Sequence, residues 1–274
     1  MNIANTPPPK NAQALWNHYS DTYFSLRMGL AVLAFAFPPV LYGIGKFGFG
    51  LDLQPSMSAY FFAATAQQCA SFPMRTLFVG FLFAIGAGLY LYKGFTPLEN
   101  LLLNAAGVCA ATVAIFPERI GVAEASGDAR LQGLFASCPA IRQWAESPPA
   151  LPVHYLAAVL LFALLAVVAW ACACKTLAYL PPAKGNAAAF RRLYRGLAIL
   201  MLLCPVVGLV LAYFLGARSS SVFFVEAAAV WTFGTYWAVK SRELALSRLE
   251  KDPQQAVRDA PPAALAAPPA ASSR

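Results

Sequence analysis

MRTLFVGFLFAIGAGLYLYKG (residues 74–94), FTPLEN (95–100) and LLLNAAGVCAATVAIFPER (101–119) form the stretch that decides the fold. Each apolar run is about as long as a helix must be to cross the hydrocarbon core of a bilayer. Charged residues close both runs, with Arg75 and Glu118 at one end and Lys93 and Glu99 at the other. Because the connection between the runs is short and polar, the stretch predicts two antiparallel membrane-spanning helices.

Small residues recur every four positions along both runs. They are Gly80, Ala84 and Gly88 on the first run, and Ala106, Ala110 and Ala114 on the second. Small side chains on one stripe let helix backbones approach closely, which favours association of helices in lipid. The pattern predicts that these two stripes pack against each other.

The composition of the whole chain agrees with a membrane protein. Of 274 residues, 59% are hydrophobic and only 12% are charged, and the mean hydropathy is +0.58. These values exclude an ordinary soluble domain. The net charge of +8 is explained better by orientation in the membrane than by nucleic acid, because most basic residues flank apolar runs.

The apolar blocks predict an all-α bundle of six spanning helices. The predicted spans cover residues 28–46, 74–94, 101–119, 152–174, 194–216 and 221–239. The chain then divides into a polar lead-in (1–27), a transmembrane domain (28–240), and a helix extension into solvent that ends in a disordered tail (241–274). Residues 47–73 are too polar to span but include Tyr60-Phe-Phe62, so we expect an interfacial segment that caps the bundle.

Orientation follows from the distribution of Lys and Arg. If the amino terminus is cytoplasmic, fourteen of the 20 Lys and Arg residues lie on the cytoplasmic side. Cytoplasmic segments carry an excess of these residues. The chain is therefore predicted to be a multi-pass membrane protein with both termini in the cytoplasm.

Six cysteines are present, and only Cys69 and Cys138 fall outside the predicted spans. Under the predicted topology both lie on the exoplasmic face, where disulfides form and persist. We therefore predict a disulfide between Cys69 and Cys138.

A set of polar residues collects at the predicted exoplasmic ends of the helices. The candidate ligand-binding residues are Ser58, Tyr60, Arg75, Glu118, His154, Arg218 and Glu226. Glu226 lies inside a span, where a charge is costly unless it is paired or faces water, and such a residue is by default a functional hypothesis. Its predicted partner is Arg75, Arg218 or His154. Three interpretations stay open: a structural ion pair, a pocket for a ligand or lipid headgroup, and a relay of protons or ions through Glu226.

Several chemistries are excluded by what the sequence lacks. With His18 and His154 as its two histidines, the chain offers neither bis-histidine haem ligation in the bundle nor a multi-histidine zinc site. It has no G-x-S-x-G motif and no phosphate-binding glycine loop. A triad of Ser58, His154 and either Glu118 or Glu226 has no support in the spacing. We therefore expect no cofactor, no metal and no catalytic residue.

Part of the chain resembles a family of uncharacterised bacterial multi-span membrane proteins. The likeness is carried by Ser56-Met-Ser-Ala-Tyr60, Met74-Arg-Thr-Leu-Phe-Val-Gly80, Ala84-Ile-Gly86, Tyr92-Lys-Gly94, Glu99-Asn100 and Ala106-Gly107. It covers roughly residues 56–117. The resemblance implies a multi-helix membrane fold and draws attention to Ser58, Tyr60 and Arg75 as a unit near the membrane surface, but it brings no activity with it.

These observations favour a binding or sensing membrane protein whose exoplasmic polar pocket takes a lipid headgroup or a small ligand. The expected partners are membrane lipids and a small molecule, without nucleic acid. One alternative is a small transporter or channel that uses Glu226 as its intramembrane carboxylate. A membrane-embedded enzyme that modifies lipids is the third.

Overall fold

The computed structural model describes residues 10–63, 72–118, 129–146, 152–215 and 220–258. It is 84% helical, and the described residues contain no strand. The α-helices are α1 (Lys10–Gly43), α2 (Pro73–Leu91), α3 (Pro97–Ile115), α4 (Ala129–Ser137), α5 (Pro139–Glu146), α6 (Val153–Val167), α7 (Ala187–Leu215), α8 (Ser221–Ser247) and α9 (Pro253–Arg258). A π-helical turn (Ile44–Gly48) prolongs α1, and a π-helical turn (Val168–Cys172) with a 3-10 helix (Ala173–Tyr179) prolongs α6.

Six of these helices are long and apolar enough to cross a membrane: α1, α2, α3, α6 with its prolongation, α7 and α8. The predicted all-α fold with six spanning helices is confirmed, and the protein is an integral, multi-pass membrane protein. Its orientation in the membrane stays a prediction. The first helix begins at Lys10, well before the predicted start near Met28, so the described part of the lead-in is helical.

The six spanning helices form a closed ring in chain order. Each packs against the next one along the chain, and α8 closes the ring by packing on α1. Because successive helices run in opposite directions, the connections gather at two ends. We call the end with residues 44–63, 116–118 and 129–146 the loop end, and the end where α1 begins and α8 finishes the terminal end.

Close packing between α2 and α3 depends on glycine, but not on the predicted stripe of α2. Gly80 and Ala84 are exposed, so that prediction was wrong for α2. The buried face of α2 is formed by Phe78, Leu82 and Leu89, which lie on the side of the helix opposite to Gly80 and Ala84. The contact lies instead between Gly86 and Gly107, where a Cβ on Gly107 would come within 2.6 Å of the Gly86 carbonyl oxygen. On α3 the predicted residues Ala106, Ala110 and Ala114 are buried.

The start of α3 is fixed by its own first turn. The Glu99 backbone N–H donates to Thr96 Oγ1 at 3.1 Å, and the Phe95 backbone N–H donates to Glu99 Oε2 at 3.0 Å. Such reciprocal capping satisfies amide groups that the helix leaves unpaired. The buried Glu99 carboxylate therefore has a structural role.

The end of α8 differs from the predicted solvent-exposed extension. Ser241, Glu243, Leu244 and Ser247 are buried. One stripe of α8 packs into the terminal end of the bundle, and its polar members find partners there. The short α9 follows, and its Ala256 is buried too.

We expect Gly107→Ala to destabilise the protein by about 1–3 kcal/mol, because the added methyl group forces α2 and α3 apart. Gly80→Ala is the matched control, since a Cβ at Gly80 meets no atom within 4 Å. Thermal unfolding of both variants in detergent measures the difference. A Gly107→Ala variant as stable as Gly80→Ala would contradict the importance of this contact.

Candidate functional site

Residues 54–62, which we call the plug, close the loop end of the ring. The plug contains the 3-10 helix Ser58–Phe61, and Ser56, Met57, Ser58 and Tyr60 are buried. The interfacial segment predicted over residues 47–73 therefore caps the bundle, as far as residue 63, where its first described part ends. Side chains from α2, α6, α8 and the end of α3 hold the plug.

Glu226 anchors the plug to α8. The Met57 backbone N–H donates to Glu226 Oε2 at 2.6 Å. One turn earlier, the Phe223 backbone N–H donates to the Pro55 carbonyl oxygen at 2.9 Å. Two polar contacts thus join the first turns of α8 to the plug.

The predicted cationic partners of Glu226 are placed elsewhere or lie outside the described residues. Neither Arg75 nor His154 pairs with it, so those two predictions were wrong. The physical reason is that the backbone amide of Met57 in the plug needs an acceptor, and the Glu226 carboxylate supplies it. Arg218, the third predicted partner, lies outside the described residues.

His154 joins the plug to α6 and α3. Its Nε2 lies 2.9 Å from Ser58 Oγ, and its Nδ1 lies 2.7 Å from the Phe116 carbonyl oxygen. The imidazole is buried and sits in the first turn of α6. Both ring nitrogens are therefore engaged.

Glu118 holds the plug from the end of α3. Ser56 Oγ donates to Glu118 Oε2 at 2.6 Å, and the Tyr155 hydroxyl donates to Glu118 Oε1 at 3.0 Å. Ser56 Oγ also accepts the Ala59 backbone N–H at 2.9 Å. Two carboxylates, those of Glu118 and Glu226, thus bind adjacent residues of the plug.

Arg75 lies at the same end but takes no part in these pairs. Its guanidinium carbon is 4.3 Å from the centre of the Phe61 ring and 4.2 Å from that of Phe72. Its Nε–H donates to the Phe61 carbonyl oxygen at 3.2 Å. The side chain is partly exposed, so Arg75 flanks the plug and faces outward.

Tyr60 is a core residue rather than a pocket residue. It is fully buried, its ring lies 6.1 Å from that of Phe223, and a Cβ on Gly45 would come within 3.0 Å of it. Burial raises the pKa of the Tyr60 phenol. Tyr60 therefore fixes the plug against α1 and α8.

The structure thus brings Ser58, Glu118, His154 and Glu226 together through the plug, and sets Arg75 beside it.

The disulfide stays a prediction, because Cys69 lies outside the described residues. Cys138 is buried and packs against Phe62. No cluster of His, Cys, Asp and Glu suited to a metal ion occurs within the described ranges.

A second buried polar cluster, at the terminal end, was missed from the sequence. The Lys240 ammonium donates to Glu243 Oε2 at 2.9 Å, to the Ala173 carbonyl oxygen at 3.1 Å and to Thr176 Oγ1. The Tyr194 hydroxyl donates to Glu243 Oε2 at 2.7 Å, and Thr176 Oγ1 donates to Glu243 Oε1 at 2.7 Å. Lys240 is 1% exposed and Glu243 is 0% exposed, so this is a fully buried ion pair.

Arg27 forms a second ion pair at the terminal end. Its two terminal nitrogens donate to the two carboxylate oxygens of Glu250 at 2.6 and 2.7 Å. Arg27 lies in α1 and is buried, and Glu250 follows α8. The pair therefore ties the residues after α8 to the first helix.

One signal in the sequence could have revealed this cluster. The residues 236, 237, 240, 243, 244 and 247 recur at helical spacing and fall on one face of α8, and all are buried. Lys240 falls at the end of the predicted transmembrane domain (28–240) and Glu243 in the predicted solvent-exposed extension, where charge is usually exposed. The stripe of Tyr236 and Trp237 beside them indicated a buried face.

Comparison with protein-family models, with curated proteins and with solved structures finds no match. The resemblance to bacterial multi-span membrane proteins therefore stays a prediction. The fold defines the class of the protein as an integral membrane protein with six spanning helices in the described part of the chain.

We expect Lys240→Met to destabilise the protein by about 3–5 kcal/mol, because it leaves the Glu243 carboxylate buried without its cation. Lys46→Met is the matched control, because Lys46 pairs with Asp52 and their side chains are 43% and 60% exposed. Exposed ion pairs contribute about 0–1 kcal/mol to the free energy of unfolding. Unfolding of both variants by denaturant in detergent measures the two costs. Similar costs would contradict a special role of the buried pair.

Proposed function

We propose that the protein binds an anionic group, the phosphate of a lipid headgroup or a small free anion, at the loop end through Arg75. The observation that carries the proposal is the arrangement of the guanidinium group. Its Nε is engaged by the Phe61 carbonyl oxygen, and its terminal nitrogens have no acceptor within the described part of the chain. A guanidinium presents such nitrogens in a planar fork that suits phosphate oxygens.

The surroundings of Arg75 support an external anion. The rings of Phe61 and Phe72 hold the guanidinium group by cation–π contacts, which limits the freedom that it would lose on binding. Arg75 also lies in the first turn of α2, where the helix dipole favours negative charge. The carboxylates of Glu118 and Glu226 are bound to the plug and leave the guanidinium group available.

The position of Arg75 also supports a sensing role. An anion bound there touches the plug through Phe61, which supplies both a ring and a carbonyl oxygen to Arg75. The plug in turn contacts α3, α6 and α8 through Glu118, His154 and Glu226. Occupancy at Arg75 would therefore be transmitted to three spanning helices.

The proposal includes a location. The excess of Lys and Arg at the terminal end favours a cytoplasmic position for that end, in a bacterial inner membrane, with the loop end outside. The disulfide between Cys69 and Cys138 belongs to the same proposal, because it requires the loop end to face an oxidising compartment.

Binding is tested with protein in nanodiscs of phosphatidylcholine that contain a minor fraction of phosphatidylglycerol. We expect retained phosphatidylglycerol in native mass spectra of the wild type, and a loss of roughly tenfold or more in Arg75→Ala, because hydrogen bonds to charged groups contribute about 1.5–3 kcal/mol. Titration with inorganic phosphate in pure phosphatidylcholine distinguishes a free anion from a headgroup.

Lys46→Ala is the matched control, because Lys46 is an exposed cation at the same end. It should keep the lipid. Equal retention by Arg75→Ala and the wild type, together with no response to phosphate, would refute the proposal.

A second candidate function is proton conduction by a small transporter or channel, and one observation favours it. Glu226 lies within a span, and in the described residues its carboxylate binds a backbone amide rather than a cation. Such a carboxylate can exchange its proton as part of a transport cycle.

Glu226→Gln should abolish proton flux into proteoliposomes driven by an imposed potential, because an amide cannot carry the proton. Flux is followed with an enclosed pH dye. Asp52→Asn, which changes an exposed carboxylate at the same end, should keep the flux. Wild-type vesicles that move no protons would remove this candidate.

A further inference from the structure

Ser58 and His154 have the geometry of a nucleophile and its base. Ser58 Oγ lies 2.9 Å from His154 Nε2, within the distance over which a general base accepts a proton. The two residues are 96 positions apart in the sequence, and the plug and α6 bring them together.

The Phe116 carbonyl oxygen fixes the tautomer of the His154 imidazole. His154 Nδ1 lies 2.7 Å from the Phe116 carbonyl oxygen, and a carbonyl oxygen can only accept a hydrogen bond. Nδ1 therefore carries the proton. Nε2 has a free lone pair and accepts the Ser58 hydroxyl proton, which is the arrangement that activates a serine.

The plug holds the serine in place. Ser58 opens the 3-10 helix Ser58–Phe61, and its neighbours on either side are held by Glu226 at the Met57 amide and by Ser56 at the Ala59 amide. Ser58 is 6% exposed and His154 is 5% exposed. The pair is thus ordered and shielded from bulk water, which favours electrostatic stabilisation in a reaction.

We propose that Ser58 and His154 cleave carboxylic esters of lipids that reach the loop end from the bilayer. This activity goes beyond anion binding and does not depend on it, because Arg75 is not part of the pair. The ester has to reach Ser58 Oγ while Ser58 and His154 stay in contact, so its entry requires movement of the residues that cover Ser58 and not of Ser58 itself.

The reaction balances with water as the second reactant. Ser58 Oγ adds to the ester carbonyl carbon while its proton moves to His154 Nε2. The bond to the alcohol then breaks, and the alcohol oxygen takes that proton, which leaves an acyl group on Ser58. Water attacks the acyl carbon and gives a proton to Nε2, and Ser58 Oγ recovers it as the carboxylic acid departs.

A donor for the negatively charged intermediate lies beside the nucleophile. The Met57 amide already binds a carboxyl oxygen, Glu226 Oε2, at 2.6 Å. In the proposed reaction the oxyanion takes this amide when Glu226 is protonated and turns away from it, because two negatively charged oxygens at one buried donor would repel each other. Backbone amides serve this purpose in acyl transfer.

The experiment treats wild-type protein in nanodiscs with a fluorophosphonate and maps the adduct by mass spectrometry. We expect the adduct on Ser58 and the release of fatty acid from phosphatidylglycerol. Ser58→Ala should abolish both, and His154→Gln should slow both roughly 100-fold or more, because a general base contributes about 10²–10⁴ in rate.

Ser20→Ala is the matched control, because it removes a buried hydroxyl at the terminal end, and it should leave both rates unchanged. Thermal unfolding checks that each variant folds. If Ser58→Ala does not fold, the presence or absence of the adduct on Ser58 of the wild type decides between the outcomes. Wild-type protein that stays unlabelled at Ser58, or fatty-acid release that survives in folded Ser58→Ala, would overturn the proposal.

Discussion

The hydrogen bond between the Met57 amide and Glu226 shows how the loop end satisfies backbone polar groups away from water. In a bilayer, backbone polar groups that leave a helix must find partners inside the protein. The chain leaves helical structure over residues 50–57, and the plug carries amides and hydroxyls into the ring. Glu226, Glu118 and His154 supply the partners, each from a different part of the ring. These three side chains therefore satisfy polar groups of the plug that leave the water.

The two ends of the ring satisfy buried polar groups in different ways. At the terminal end Glu243 and Glu250 meet cations, Lys240 and Arg27, while Glu99 caps its own helix. At the loop end the carboxylates of Glu118 and Glu226 bind neutral donors of the plug. A carboxylate held only by neutral donors keeps its charge at a higher cost than one paired with a cation. Both proposals for the loop end start from this difference, because Glu118 and Glu226 have no cationic partner among the described residues.

The sequence predicted the spans well, because the length and polarity of a span are set by the bilayer. It also predicted that Ser58, Glu118, His154 and Glu226 lie at one end, since alternating helix directions sort residues by end. It did not predict the pairing. The partner of Glu226 is a backbone amide, and every residue has one, so no pattern of side chains points to Met57. The prediction from the stripe of Gly80 and Ala84 was wrong, because small residues at regular spacing do not indicate which side of a helix faces inward. The buried ion pair of Lys240 and Glu243 was missed because charge near a span end usually reaches water.

The plug connects the two proposals at the loop end. Phe61, which holds Arg75, and Ser58, which meets His154, are the last and the first residue of the same 3-10 helix. An anionic lipid bound at Arg75 would therefore lie beside the same helical turn that carries Ser58. If both proposals hold, the ester of that lipid would lie at the end of the bundle where Ser58 meets His154. The two groups are close because they belong to one turn of the chain, so their proximity needs no path through the spanning helices.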